Sequence, residues 1–301
     1  MDFKSWSAER AAHFELCAKK ALPPENRLPW KLHEAMRYAV LDGGKRIRPL
    51  LTYASGELVG AEDEALDHIA LALEYIHSYS LVHDDMPCMD NDTLRRGKLT
   101  THKKYGEAMG MLAGDALQAQ AFFELTQTKL SGDQITALVK LLAAAAGSAG
   151  MCGGQAVDLL SVHQKLDLDT LTLMHRMKTG AMIRASALMG LYGAKTMPPA
   201  ALIGLTVQYS DAIGLAFQVI DDILDVTAET AVLGKTAGKD ALEDKPTYVS
   251  ILGLEESREM AKNEINKALE ALKAIEALSP QYVGKTARLA DIAQYILSRD
   301  H

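Results

Sequence analysis

The amino-acid sequence predicts an all-helical protein, and its composition gives the reasons. Ala, Leu and Met are plentiful, aromatic residues make up only 6% of the chain, and runs of alternating β-branched residues are lacking. Only nine of the 301 residues are proline, and no Ser/Gly-rich linker or short-period repeat interrupts the chain. We therefore expect one continuous helical domain over residues 1–301, with enough apolar residues for a large buried core.

Helical periodicity and breaking residues divide the chain into elements. Pro29 lies at a helix start, Gly43 and Gly44 end that helix, and Pro87 disturbs the end of a longer one. Charged loops are predicted over residues 90–98 and 227–245. The predicted helices cover residues 30–41, 49–59, 62–86, 107–129, 133–146, the surroundings of Leu159, 169–192, 199–226, 248–275 and 280–298.

Charge and cysteine content restrict the class of protein. The formal net charge of -7 and the pI of about 5.7 argue against a nucleic-acid binder, which usually carries a basic surface. Three widely spaced cysteines (Cys17, Cys88 and Cys152) indicate free thiols in a reducing compartment. The N-terminus lacks the pattern of a signal peptide, and the uncharged run 141–157 is shorter than a membrane span. We expect a cytoplasmic protein without stable membrane insertion.

Two long apolar helices are each predicted to end in a pair of aspartates. Each pair is followed by a loop rich in Lys or Arg. The two helices can pack side by side, with both acidic ends at the opening of one cavity, which we call the mouth. In the second cluster Asp221 and Asp225 are four residues apart and share a helical face. In the first, the break at Pro87 brings Asp90 towards Asp84. The clusters comprise Asp84, Asp85 and Asp90, and Asp221, Asp222 and Asp225.

Carboxylates crowded at the rim of an apolar cavity repel one another, and their ionised forms are unfavourable there. A hard divalent cation relieves both effects. All-oxygen donors without a nearby Cys or His pair favour Mg²⁺, and the glycine-containing loop of a Ca²⁺-binding EF-hand is lacking. A solvated helix end is an adequate explanation for one Asp-Asp pair. Two such clusters, each trailed by cations, favour a magnesium site.

Basic residues accompany both clusters. Lys45 and Arg48 follow the Gly43-Gly44 pair and suit a diphosphate, although a glycine helix end followed by solvated cations is the alternative. Lys178 lies in an apolar helix, which is a weaker context for an ordinary surface cation. His77 lies two helical turns before Asp84 on the same face, which makes it a candidate for the site. The alternative is a buried histidine of the core without a functional role. The remaining candidate cations are Arg95, Arg96, Lys235, Lys239 and Lys245.

Together these residues resemble the trans-prenyl diphosphate synthases, and among them the bacterial farnesyl diphosphate synthase type. The resemblance extends by motif from Gly43 to Lys245, and every motif position agrees. The matching segments, in order along the chain, are His83–Asp92 with Leu94–Gly97, Gly153–Gln155, Lys178–Gly180, Phe217–Asp225 and Gly238–Asp240.

The resemblance implies a bundle of about ten helices around a deep central cavity (the isoprenoid synthase fold) and a homodimer. It implies that Asp84, Asp90 and Asp221 hold three Mg²⁺, with Asp85, Asp222 and Asp225 as further or outer ligands. The allylic diphosphate would contact Arg95, Lys178, Lys235 and Lys245. Isopentenyl diphosphate would contact Lys45, Arg48, His77 and Arg96, and Thr179 and Gln218 would lie near the reacting carbons.

The resemblance also implies a fifteen-carbon product. Tyr79 lies five residues before Asp84, roughly 7.5 Å down the helix axis, where its phenol would form a floor beside the small Ser80. A longer-chain (geranylgeranyl) diphosphate synthase is the nearest alternative, and the bulky Tyr79 is the residue that argues against it. Three other classes fit the sequence less well. A terpene cyclase needs only one substrate, whereas the separate cations Lys45 and Arg48 suit a second one. A non-catalytic partner subunit would be expected to lack one acidic motif, and a purely structural bundle has no use for either motif.

Overall fold

The computed structural model describes residues 2–162, 164, 166–227 and 245–299. Helices dominate these ranges, as predicted, and the only strands among them are β1 (Leu94–Arg95) and β2 (Lys98–Leu99). The α-helices are α1 (Phe3–Ala21), α2 (Trp30–Val40), α3 (Ile47–Val59), α4 (Asp63–Asp84), α5 (Thr101–Tyr105), α6 (Glu107–Thr126), α7 (Gly132–Ala146), α8 (Met151–Leu160), α9 (Leu168–His175), α10 (Ala181–Tyr192), α11 (Ala200–Thr227), α12 (Tyr248–Leu252), α13 (Leu254–Leu278) and α14 (Ala287–Ser298).

The long helices pack in pairs around a large apolar core. Helix α4 lies along α6, α3 against α10, and α11 along α13. The inner face of α4 is almost continuously buried, including Leu66, Ile69, Leu73 and Ile76. A smaller apolar cluster, centred on Val219 and Ile223, lies where α9, α12 and α13 meet the end of α11. These contacts fix the two helices that carry the acidic clusters.

The N-terminal helix α1 was not among the predicted elements. Its buried apolar contacts are sparse, Trp6, Phe14 and Ala18, and polar residues separate them. Helical amphipathicity is therefore weak over this stretch, although Asp2 is a helix-capping residue. Its carboxylate accepts a hydrogen bond from the Ser5 backbone N–H at 2.8 Å. Packing against α3 and α4 stabilises α1 where its own pattern does not.

Three predicted elements differ in detail. The predicted helix over residues 248–275 is divided by Gly253, whose φ of +84° ends α12 and begins α13. The predicted helix over 280–298 is a 3₁₀ turn (Pro280–Tyr282) followed by α14. The predicted loop over residues 90–98 contains most of the antiparallel pair β1–β2, in which Arg95 faces Lys98. Each difference depends on a local turn that helical periodicity does not report.

The stretch predicted as one helix over residues 169–192 contains a π turn. Five residues, Arg176–Gly180, form this turn between α9 and α10. Such turns are rare within helices and occur mostly at functional sites. Here the turn contains Lys178 and Thr179, both of which were singled out from the sequence.

Two stretches of the described chain are long and apolar enough to cross a membrane, judged by length and composition alone. The first, Gly132–Leu160, is divided between α7 and α8 and contains the uncharged run 141–157. The second, Ala200–Thr227, has half of its apolar window buried inside the protein. Helices in the core of soluble proteins pass the same test, so these stretches carry no argument for a membrane. Cys17, Cys88 and Cys152 are all free thiols, as predicted.

Candidate active site

The first acidic cluster lies where α4 ends. Asp84 is the last residue of the helix, and its backbone oxygen accepts a hydrogen bond from the Asp90 N–H at 2.8 Å. The chain thus folds back after Pro87 and brings Asp90 to Asp84, as the break at proline predicted. The pKa of Asp84 is raised to about 6, mainly by burial and also by the charges of Asp90 and Asp85, although Lys178 and Arg95 oppose this shift.

Asp85 is buried beside a guanidinium. Arg95, on β1, donates a hydrogen bond from Nε to Asp85 Oδ1 at 2.6 Å. Its Nη2 lies 2.6 Å from the same oxygen and 3.3 Å from Asp92 Oδ2. Burial raises the pKa of Asp85 even though the Arg95 charge opposes that shift. The hairpin therefore holds Arg95 against the carboxylate next to Asp84.

The second cluster lies near the end of α11, and its three carboxylates differ in environment. Asp221 is partly exposed, and its Oδ1 lies 2.6 Å from Nη2 of Arg299, the residue that follows α14. Asp222 is buried and accepts hydrogen bonds from the Tyr248 backbone N–H at 2.8 Å and from Gln218 Nε2 at 3.3 Å. Asp225 is buried as well. Only Asp221 of the three is open to solvent.

A short segment of chain joins the two clusters. Lys245 Nζ lies 3.5 Å from Asp90 Oδ1 of the first cluster, and three residues later the Tyr248 N–H binds Asp222 of the second. Three residues of backbone span at most about 11 Å, to which the Lys245 side chain adds its own reach. The structure therefore brings the ends of α4 and α11 to one mouth, the arrangement expected from the sequence.

A cavity of about 430 Å³ lies below this mouth. Arg48, Asp84 and Lys178 line it together with apolar and sulfur-containing side chains of α4, α6 and α8. Within the described residues, the side-chain amide of Gln155 and the Nε of Arg48 are buried without a hydrogen-bond partner. Buried polar atoms that lack a partner indicate groups available to a ligand.

The π turn positions two polar side chains at the cavity. Lys178 Nζ lies 2.6 Å from Asp158 Oδ2, and the Thr179 hydroxyl donates to Gln218 Oε1 at 3.1 Å. Burial alone would raise the pKa of Asp158, but the Lys178 ammonium lowers it. A Cβ atom at Gly154 would overlap the Lys178 backbone, so this glycine of α8 allows the turn to pack at close range.

A group of cations lies close to Asp221. Partial desolvation and Arg299 lower the pKa of Lys45, whereas Asp221 raises it. Burial likewise lowers the pKa of Arg48, against the charges of Glu74 and Asp221. Both side chains are therefore close enough to sense the carboxylate of Asp221.

His77 lies within the same cationic group. Burial lowers the pKa of its imidazole well below its usual range, and Arg48, Arg96 and Arg95 lower it further. Arg96 Nη1 donates to the Gly43 carbonyl at 3.2 Å, and its guanidinium occupies the space that a side chain at Gly44 would need. The absence of a side chain at Gly44 therefore leaves room for the Arg96 guanidinium.

Tyr79 is held from two sides within the cavity wall. Its hydroxyl lies 3.3 Å from Cys152 Sγ, and its ring meets the His83 imidazole edge to face at a centroid distance of 5.7 Å. The Ser80 hydroxyl donates to the His77 carbonyl at 2.8 Å. Tyr79 and Ser80 both line the cavity.

Lys235, a predicted ligand of the allylic diphosphate, lies outside the described residues, as do Lys239 and the motif 238–240. Three further residues at the mouth were not singled out. Asp158 is an isolated carboxylate in the apolar helix α8, and that isolation was its signal. Gln155 belongs to a quoted motif, whose glycines drew attention instead. Arg299 had no local signal, because only the chain's path past α14 brings it to Asp221.

Comparisons with known proteins agree with this geometry. The family model described as polyprenyl synthetase matches residues 29–282. A protein of Escherichia coli strain K12 named farnesyl diphosphate synthase is 45% identical over 95% of this chain and 97% of its own. A probable farnesyl diphosphate synthase of Bradyrhizobium diazoefficiens is 47% identical over 96% of this chain and 86% of its own.

Solved structures extend the likeness to the fold. The Helicobacter pylori geranyltransferase, solved with magnesium and isoprenyl diphosphate, superposes with a TM-score of 0.86 at 35% identity over 97% of each chain. An apo FPP/GFPP synthase of Zymomonas mobilis gives 0.85 at 37% identity over 98% of this chain and 99% of its own. The all-helical isoprenoid synthase fold expected from the sequence is confirmed.

Proposed function

Because this chain belongs to the polyprenyl synthetase family, we propose that it joins isopentenyl diphosphate to dimethylallyl or geranyl diphosphate and makes (2E,6E)-farnesyl diphosphate. The observation that carries the proposal is the segment from Lys245 to Tyr248, which ties Asp90 to Asp222 above an apolar cavity. Opposed carboxylates over such a cavity suit a substrate with a diphosphate head and a hydrocarbon tail. The farnesyl diphosphate synthases named above support this product.

The carboxylates fit Mg²⁺. Asp84 lies beside Asp90 and Asp85, and its pKa is raised to about 6, first by burial and then by the charges of these two neighbours. Oxygen donors of this kind suit a hard divalent cation shared with a diphosphate. We propose three Mg²⁺ held by Asp84, Asp90 and Asp221, with Asp85, Asp222 and Asp225 as further or outer ligands. When bound, Mg²⁺ supplies positive charge that stabilises the leaving diphosphate.

Cations of this chain complete the allylic site in the proposal. Arg95, Lys178 and Lys245 each contact a carboxylate next to the mouth, at 2.6, 2.6 and 3.5 Å, so each is oriented before substrate arrives. These three residues and Lys235 bind the allylic diphosphate. Their charges stabilise the leaving group more strongly as the C–O bond lengthens and negative charge develops.

Lys45, Arg48, His77 and Arg96 bind isopentenyl diphosphate. Their mutual proximity supports this assignment, because burial together with the three arginines of the mouth holds His77 neutral. A neutral imidazole among arginines donates a hydrogen bond to a diphosphate oxygen without adding another buried charge. Arg48 also has a buried Nε without a protein partner, which a diphosphate oxygen would satisfy.

Thr179 and Gln218 lie beside the reacting carbons in the proposed complex. Their hydrogen bond places two polar groups at the point where the cationic allylic carbon forms. Apolar walls below them exclude water, which would otherwise quench that cation. Holding both substrates in one cavity makes the carbon–carbon bond formation intramolecular. The released diphosphate then accepts the proton lost from the new chain.

Tyr79 and Ser80 set the product length in the proposal. Tyr79 contacts both Cys152 and His83, so the phenol is braced and resists displacement by a growing chain. A geranylgeranyl diphosphate synthase remains the second candidate product class. One named relative of that class, geranylgeranyl pyrophosphate synthase 4 of Arabidopsis thaliana, is 40% identical over 100% of this chain and 79% of its own.

We further propose one prenyl synthase domain over residues 1–301, a cytoplasmic location without membrane insertion or nucleic-acid binding, and a homodimer. One face of α6 supports the dimer, since Leu112 is 49% and Phe123 55% exposed eleven residues apart, three helical turns. Exposed apolar residues in register on a helix are typical of a subunit interface. Light scattering of the native chain and of Phe123→Glu measures the oligomeric state directly.

One assay tests the function. The purified protein is incubated with Mg²⁺, isopentenyl diphosphate and either dimethylallyl or geranyl diphosphate, and the products are separated by chain length. We expect farnesyl diphosphate from both allylic substrates. A twenty-carbon main product would instead favour the geranylgeranyl alternative. Failure to condense under these conditions would favour the non-catalytic partner subunit and contradict the proposal.

A further inference from the structure

A second group of metal-binding side chains lies on the other end of α4, far from the mouth. His13 and Cys17 are four residues apart on α1 and share one helical face. That face meets Asp67 of α4. Asp67 precedes Asp84 by 17 residues, so the two aspartates lie about 25 Å apart along the helix axis. We propose that His13, Cys17 and Asp67 bind Zn²⁺.

The distances among the three donor atoms are close to those of a tetrahedral zinc site. Cys17 Sγ lies 3.6 Å from His13 Nε2 and 3.4 Å from Asp67 Oδ2, and His13 Nε2 lies 2.8 Å from Asp67 Oδ1. Ordinary zinc–ligand bond lengths place tetrahedral donors about 3.4–3.6 Å apart. Two of the three separations agree, and the third lengthens when a bound ion replaces the His13–Asp67 hydrogen bond.

The surroundings support the ligands. The Tyr53 hydroxyl donates to Asp67 Oδ1 at 2.7 Å, and the Tyr53 ring meets the His13 imidazole edge to face. Contacts of this kind orient the side chains that bind a metal directly, and they are typical of metal sites. The side chain of His13 is 38% exposed, so solvent reaches the group and a water molecule can supply the fourth ligand.

Charge also favours a divalent ion there. One thiolate and one carboxylate neutralise Zn²⁺, which leaves a half-buried site without net charge. The nearby Arg10 does not oppose the ion strongly, because its guanidinium is paired with Glu57 at 2.9 Å and with Asp63 at 3.0 Å. A thiolate and an imidazole select zinc over magnesium, so the two metals would bind at separate sites of the same molecule.

The state of Cys17 without metal distinguishes this proposal from a redox role. Burial, together with the charge of Asp67, raises the pKa of the thiol to about 12. The resting group is therefore a protonated thiol and a poor nucleophile. Zinc binding forms the S–Zn bond and releases the thiol proton to solvent. The ion would tie α1, whose own pattern is weakly helical, to α4.

Cobalt gives a spectroscopic test. The full-length protein is freed of metal with a chelator and titrated with Co²⁺ in excess Mg²⁺, which occupies the carboxylates of the mouth. We expect a thiolate-to-cobalt charge-transfer band in the near ultraviolet, bleached by one equivalent of Zn²⁺. Cys17→Ser should abolish the band and His13→Ala should weaken Co²⁺ binding more than about tenfold. Cys88→Ser is the matched control and should retain the band.

Thermal unfolding supplies a second measurement. Zn²⁺ should raise the melting temperature of the native chain and of Cys88→Ser but not of Cys17→Ser. Circular dichroism verifies that each variant is folded. Prenyl transfer with Mg²⁺ should be the same for Cys17→Ser and the native chain, so the zinc proposal and the proposed function fail separately. Absence of the thiolate band in the native chain, or its persistence in Cys17→Ser, would overturn the zinc site.

Discussion

Arg299 Nη2 lies 2.6 Å from Asp221 Oδ1, although 78 residues of chain separate them. The same guanidinium stacks 3.8 Å from the centroid of the Phe217 ring and donates to the Phe217 carbonyl at 2.6 Å. Arg299 is almost fully buried in this position. The end of the described chain therefore neutralises the one carboxylate of the second cluster that is open to solvent.

Replacing Arg299 should change the magnesium requirement. In Arg299→Ala, Asp221 loses a positive charge that competes with a bound metal, so we expect half-maximal activity at about tenfold lower free Mg²⁺. Activity measured against buffered Mg²⁺ gives the comparison, and Mg²⁺-dependent melting gives a second readout. Arg184→Ala is the matched control, because its guanidinium pairs at 2.6 Å with Asp211, another carboxylate of the helix α11 that carries Asp221. A higher Mg²⁺ requirement would show that Arg299 aligns Asp221 instead.

Asp84 should be indispensable for turnover. Asp84→Ala removes a carboxylate from the crowded first cluster, and we expect kcat to fall by several orders of magnitude, because charge stabilisation of the leaving diphosphate is the main source of rate acceleration. Steady-state assays at saturating substrate measure the effect. Asp133→Ala removes a surface carboxylate from α7 and serves as control. Near-normal turnover of Asp84→Ala would defeat the assignment.

The raised pKa of Asp84 predicts a dependence of stability on pH. Between about pH 4 and pH 6 the native state binds more protons at this site than the unfolded state, whose pKa is near 3.8. The metal-free protein should therefore lose stability as pH rises through that range. Asp84→Asn should then be more stable than the native chain at pH 7, by roughly 2–3 kcal/mol, and no different at pH 3.5.

Urea denaturation in a chelator at the two pH values measures this difference. Asp133→Asn, an exposed change on α7, is the control and should not reproduce this difference. If the native chain were as stable as Asp84→Asn at pH 7, the Asp84 carboxylate would be well solvated, and the prediction would be wrong.

Tyr79 offers a test of product length. Tyr79→Ala removes the phenol that closes the cavity, and we expect products longer than fifteen carbons by chromatography. Tyr79→Phe keeps the ring and its edge-to-face contact with His83 but loses the hydroxyl contact with Cys152. This control should still give mainly the fifteen-carbon product. An unchanged product from Tyr79→Ala would exclude Tyr79 as the floor.

Asp158 should act through Lys178. Their contact of 2.6 Å orients the ammonium, and a hydrogen bond between charged groups contributes about 1.5–3 kcal/mol. Asp158→Asn should lower kcat/KM for the allylic substrate by roughly 10–100-fold. The KM for isopentenyl diphosphate should remain within twofold, since the proposal assigns Lys178 to the allylic diphosphate. Asp169→Asn, an exposed change on α9, is the control, and equal losses for both substrates would indicate a general structural role.

The site was more predictable from sequence than several of the helices around it. Asp84 and Asp221 stand out because each carboxylate interrupts an apolar stretch, and that contrast is local in sequence. Helix α1 has no comparable contrast, because its stability comes from packing against α3 and α4. The boundary at Gly253 depends on a positive φ angle, which a glycine permits but does not require.

Contacts distant in sequence account for what the sequence did not reveal within the site. Arg299 reaches Asp221 only through the packing of α14 on α11, and the Asp158–Lys178 pair depends on the approach of α8 to the π turn. The use of Gly44 to admit Arg96 is likewise visible only once β1 is placed beside the loop after α2. Residue type and spacing indicate which groups carry the chemistry, whereas tertiary packing decides which of them meet.

The π turn from Arg176 to Gly180 makes this part of the chain sensitive to length rather than to composition. Each residue of an α-helix advances the side chains by about 100° around the axis. Deleting one residue from the turn would rotate every side chain of α10 by that angle relative to α9, and the buried Met182 and Ile183 would leave the core. We therefore expect a single-residue insertion or deletion in this turn to disrupt the core more than a conservative substitution does.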